Sequence, residues 1–96
     1  MSLLSRAEID LELRTLEGWA VERGAVRRQF VFAGFPDAVA FVQRLVPEAE
    51  QVDHHPDITI NYNRVTLAYV THSQGGVTTK DIDGARMADR VAGGAR

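Results

Sequence analysis

The sequence predicts an α+β fold, a single domain in the order α-β-β-α-β-β-α, with a four-stranded antiparallel sheet and helices packed on one face. Three observations lead there. Helix-start signals stand near both ends, at Ser5-Arg6-Ala7-Glu8 and at Thr78-Thr79-Lys80-Asp81. Two pairs of runs with period-2 character lie between them, and one long segment with apolar residues three and four apart separates the pairs. With 96 residues the chain has no room for a second core, so the domain is taken as residues 1–96.

The first helix follows Ser5, buries Ile9, Leu13 and Leu16 at turn spacing, and is stopped by Gly18. Residues 19–22 and 26–32 form a hairpin about Arg23-Gly24, with Val26, Phe30 and Phe32 on the face opposite Arg27 and Gln29. Phe35-Pro36-Asp37 opens the long helix, whose stripe is Ala38, Phe41, Val42, Leu45 and Ala49. Pro47 removes an intrahelical bond, which predicts a kink or a helix that ends early and restarts. Residues 58–62 and 64–72 form the second strand pair, joined tightly around residues 61–63. In the second of these strands Val65, Leu67, Tyr69 and Thr71 share one face, and Thr66, Ala68, Val70 and His72 the other. After a turn at residues 73–76, Thr78 caps a last helix carrying Ile82, Ala85, Ala88 and Val91, and Gly93-Gly94 frees the tail.

Composition narrows the function. Hydrophobic residues at 45% and charged residues at 25% describe a folded chain. A net charge of -2 offers no pull toward nucleic acid or an anionic membrane, so neither is expected as a partner. The absence of cysteine removes disulfides and thiolate chemistry. The start, Met1-Ser2-Leu3-Leu4-Ser5-Arg6, is too poor in apolar residues for a signal peptide, and no run approaches the ~20 of a membrane span, so a cytoplasmic location is expected.

The three histidines carry the chemistry: His54 and His55, directly before Pro56, and His72. Imidazole titrates near neutral pH, so one ring can take a proton while another gives one. The proposed strand pairing can bring all three to one end of the sheet. Adjacent histidines diverge on an extended chain, and no further ligands stand at zinc-like spacing, so no metal is expected. Taken alone, Asp81 reads as a helix-start acid beside Thr78, Glu50 as a solvated helix residue, Tyr62 as a packing residue at a hairpin corner, and Trp19 as core or interface.

Together these residues resemble the pterin-4a-carbinolamine dehydratase family. Its pattern is an acidic residue, three positions, His-His-Pro, then an aromatic residue, a histidine and an aspartate. Glu50, His54, His55, Pro56, Tyr62, His72 and Asp81 fill it, and Thr71-His72-Ser73 with Gly76-Val77-Thr78 matches the strand-to-helix turn. Gly18-Trp19 and Phe30-Val31-Phe32 are similar to the family's first hairpin, and Pro47, one turn before Glu50, is the main departure. The resemblance implies a hydro-lyase without cofactor that dehydrates a 4a-hydroxytetrahydropterin to a quinonoid dihydropterin, as in tetrahydrobiopterin recycling. It implies His54 and His72 as proton-transfer groups and His55 as a substrate-binding group that helps protonation. Glu50 would orient His54, and Asp53, Val70, Thr71 and Ser73 would line the pterin pocket, with Asp81 near its rim and Tyr62 a possible contact. A homodimer or homotetramer is implied too, and the small-residue stripe of the last helix suits close packing between subunits. Two further roles are weighed against the enzyme: a protein-interaction module of the coactivator and dimerisation-cofactor type, and handling of a pterin in molybdenum cofactor metabolism. An intact histidine triad favours the enzyme.

Overall fold

The structure, a computed structural model, describes residues 3–93; the readings placed on Met1, Ser2 and Gly94 fall outside it. Helix α1 (Arg6–Leu13) starts on Ser5, whose Oγ accepts from the Glu8 N–H at 3.1 Å while Glu8 Oε1 accepts from the Ser5 N–H at 2.7 Å. Hydrogen bonding from the Ser5 backbone N–H, and then from the Ser5 side chain, holds the Glu8 carboxyl below its usual value. A depressed carboxyl contributes fully above the ordinary carboxylate range and is lost as pH falls through the depressed value. The Ser5→Ala variant, which loses the N-cap hydroxyl, should be less stable at neutral pH, read as a lower urea midpoint. That deficit should shrink as acid protonates Glu8.

Helix α1 ends at Leu13 rather than running to Gly18, because the next N–H groups turn to carbonyls three residues back: Arg14 to Leu11 (3.3 Å), Thr15 to Glu12 (3.2 Å) and Leu16 to Leu13 (3.1 Å). The tightened turn still delivers Leu16 to the core beside Ile9, with Leu13 half-buried. Strands β1 (Ala20–Glu22) and β2 (Ala25–Val31) meet at Arg23 (φ 53) and Gly24 (φ 77), a left-handed pair that suits the twist of a two-residue hairpin.

Helix α2 (Phe35–Val52) runs unbroken through Pro47, so it does not end early. Pro47 sits on the exposed face, where water can serve the carbonyl left without its usual donor. Ala38, Phe41, Leu45 and Ala49 are buried, and Val42 is half-buried. Asp53, in the left-handed region at φ 51, ends the helix. The His54 N–H returns to the Ala49 carbonyl (3.2 Å) and the Asp53 N–H to that of Glu50 (3.3 Å), a Schellman closure.

Strands β3 (Asp57–Asn61) and β4 (Arg64–Tyr69) complete a sheet ordered β1-β2-β4-β3, antiparallel throughout, with Val26 opposite Tyr69 and Ile58 opposite Leu67. Strand β4 stops at Tyr69, three residues before its expected end at His72. The Thr71 N–H pairs with the Gly76 carbonyl (2.9 Å), and His72–Gln74 wind into a single 3-10 turn. Helix α3 (Thr79–Ala92) starts on a second capping box formed by Thr78 and Asp81. Its small-residue stripe is spent within the chain: Ile82, Ala85 and Ala88 are buried in the core rather than left for a partner. That core joins Val26, Phe30, Val65, Leu67 and Tyr69 of the sheet to Leu16, Phe41, Leu45 and Ile82 from the helical side. Among the described residues, no helix is long and apolar enough to cross a membrane.

Candidate active site

Two backbone devices bring the site together at one end of the sheet. The left-handed residue Asp53 turns the chain out of α2 and aims His54 back toward α3. The early end of β4 releases residues 70–74 into a loop that crosses in front of the α3 N-terminus. Between them lies a cleft of about 440 Å³. Asp53, His54 and His55 line it from the first turn, Val70, Thr71, His72 and Ser73 from the second, and Lys80 from α3. All three histidines therefore border one cavity.

His54 is the most enclosed of them, its side chain only 12% exposed. Its Nε2 lies 2.6 Å from Asp81 Oδ1, and Asp81 is fully buried. The other carboxylate oxygen, Oδ2, accepts from the Thr71 hydroxyl (2.8 Å) and the Thr78 N–H (2.8 Å). Thr71 and Thr78 also join through their hydroxyls at 2.8 Å. Asp81 thus caps α3, ties it to the loop after β4 and holds His54, with a donor on each oxygen. An ionised carboxylate only accepts, so a bond to ionised Asp81 puts the proton on His54 Nε2 and leaves Nδ1 the unprotonated nitrogen of a neutral ring.

The carboxylate behind His54 is therefore Asp81, and Glu50 reaches His55 Nε2 instead. Helix geometry explains the difference. The Schellman closure swings His54 inward and leaves His55, on the exposed side, above the last turn that carries Glu50. Asp81 accordingly lies beneath the site and not at its rim. Tyr62, two-thirds exposed in the β3–β4 turn (φ 55), stands at the other end of the hairpin. The five residues of β3 separate it from the histidines by on the order of 17 Å, so the chain's own cleft does not include it.

Lys80 is the cleft residue that sequence reasoning missed. A signal was present, since it is the only lysine among 11 basic residues and precedes Asp81 directly. Lys80 and His54 also border a second groove of about 310 Å³ between α2 and α3, with Val52, Gly84 and Met87 among its lining.

Comparison with known proteins places the chain in a family. The family model of pterin 4 alpha carbinolamine dehydratase matches residues 2–91. A Mycolicibacterium vanbaalenii relative, whose name assigns it provisionally to this dehydratase, is 44% identical over 93 residues, 97% of this chain and 100% of its own. One from Thermosynechococcus vestitus, named in the same way, is 45% identical over 89 residues, 93% of this chain and 94% of its own. Among solved structures, a transcriptional coactivator/pterin dehydratase from Brucella melitensis superimposes with a TM-score of 0.91 at 38% identity, over 96% of this chain and all of that one. The chain belongs to the pterin 4 alpha carbinolamine dehydratase family.

Proposed function

We propose that the protein dehydrates a 4a-hydroxytetrahydropterin to the quinonoid dihydropterin by histidine acid–base catalysis. The carrying observation is the single cleft lined by His54, His55 and His72, with the buried Asp81 fixed behind His54. Its volume falls within the roughly 300–1,000 Å³ of small-molecule sites. The reaction removes the N5 proton and protonates the departing 4a hydroxyl, so the new C4a=N5 bond and one water account for every atom. Two proton transfers are needed, and no electron changes hands. His54 Nδ1 and the His72 ring serve as the exchanging groups on either side of the heterocycle. His55, held by Glu50, binds the substrate and supports protonation of the leaving hydroxyl. Asp53, Thr71 and Ser73 offer polar side chains to the pterin edge, and Val70 offers its backbone. Following dehydration of the carbinolamine by absorbance tests the reading. Wild-type protein that leaves the uncatalysed rate unchanged would sink it, and a role confined to protein interaction would then take its place.

The same protein acts as a homo-oligomer, in this reading. Strand β3 lies at a sheet edge with all five residues exposed, and Ile58 and Ile60 remain 40% and 39% accessible there. An apolar, unpaired edge favours pairing with a second copy. Light scattering should return a dimer or tetramer mass, and a ~10 kDa species alone at micromolar concentration would refute the assembly.

A further inference from the structure

Tyr69 holds a position that the proton chemistry does not explain. It is the last residue of β4, directly beneath the cleft, and is completely buried. Its ring stacks on the His54 imidazole, with centroids 6.1 Å apart and planes inclined by 27°. Trp19 packs against the same ring at 6.0 Å and is itself fixed by its indole N–H on Asp89 (2.9 Å). Helix α3 closes the remaining side at Gly84, where a Cβ would stand 2.4 Å from Tyr69 Cε1 and 2.8 Å from Cδ1. Only a residue without a side chain lets the helix come so close. Among the described residues the phenol contributes no bond to this arrangement: its buried hydroxyl has no hydrogen-bond partner there, and burial, then the charge of Asp81, push its pKa up. What holds Tyr69 is ring contact alone.

A ring held at its two ends can still turn. The bond to Asp81 fixes His54 Nε2 and the side chain fixes the opposite end of the ring, but rotation about the line between them remains. A flat surface against its face removes that rotation. We propose that Tyr69 is a positioning residue whose ring, locked by Gly84 and Trp19, sets the plane of the His54 imidazole and so aims Nδ1 into the cleft. The kinetic half of this proposal rests on the dehydratase reading; the structural half does not.

Two measurements on the full chain test it. Three-bond carbon–proton couplings across the His54 Cβ–Cγ bond report by NMR whether the imidazole keeps one ring rotamer, with no substrate present. Initial rates of carbinolamine dehydration give kcat and KM. Tyr69→Phe retains the platform and should leave both the single rotamer and kcat unchanged. Tyr69→Leu removes it, so the couplings should average and kcat should fall about tenfold with KM within about twofold. A purely structural role would weaken the fold while leaving rotamer and kcat intact well below the melting temperature. If Tyr69→Leu does not fold, Gly84→Ala, which displaces the same ring without removing it, should give the same averaging and the same fall in kcat. A fixed His54 rotamer with wild-type kcat in the folded variants would overturn the proposal. Averaged couplings in a protein whose wild type has no dehydratase activity would uphold the platform and reject the dehydratase reading.

Discussion

The His54→Gln variant should lose two to four powers of ten in dehydration rate, about the worth of a positioned acid–base group, while its KM changes little. Glutamine can still present an N–H toward the Asp81 carboxylate, so the buried acceptor keeps a donor and the fold stays intact. It has no nitrogen that can take and return a proton. An absorbance assay of wild type and variant side by side, with unfolding curves as control, checks the expectation. A variant within twofold of wild type would take His54 out of the mechanism.

Asp81→Ala should produce the largest loss of stability of any single substitution in the site, roughly 3–5 kcal/mol. Its carboxylate is fully buried and serves His54, the Thr71 hydroxyl and the Thr78 N–H together. Alanine leaves His54 and the Thr78 N–H without that acceptor in a closed environment, leaves the Thr71 hydroxyl only Thr78, and removes half of the α3 capping box. Against a total of about 5–15 kcal/mol, that should lower Tm by upward of ~12 °C in a domain of this size. Asp81→Asn keeps the shape and part of the capping, so most of the stability should return. Its activity should not, because an amide can turn its own N–H toward the imidazole and upset the tautomer, a loss on the order of 10²-fold or more. Calorimetry and the same absorbance assay separate the two effects; an Asp81→Ala protein that melts with the wild type would refute the role given to the buried carboxylate.

Elements set by local rules were legible in the sequence. The Ser5–Glu8 capping box, the Thr78 helix start, the Arg23-Gly24 hairpin and the stripe of α2 follow from short-range spacing, and they stand where that spacing puts them. The convergence of the three histidines was legible as well, because the strand order and the His-His-Pro segment together leave few other placements. What escaped depends on distant partners. Glu50 lies four residues from His54, the natural reach along a helix, yet Asp53 adopts a left-handed turn that sends His54 to an acid 27 residues away. Strand β4 was expected to run through His72 because its alternation continues that far, but Thr71 is drawn to Asp81 and Thr78 and leaves the ladder. Pro47 looked like a helix breaker, and only its exposure shows why the helix tolerates it. Tyr69 was placed on the correct face with Val65 and Leu67, but nothing local reveals that its ring lies under an imidazole.

Lys80 gives the cleft a chemical address. Since every other cation in the side chains is a guanidinium or an imidazole, an acylating or imine-forming reagent meets one ε-ammonium in the whole sequence, and that one borders both grooves beside His54. Apart from the α-amino group, a fluorophore or cross-linker directed at amines would thus have its one anchor at the mouth of the cavity without any engineered residue, turning an accident of composition into a built-in reporter of what enters.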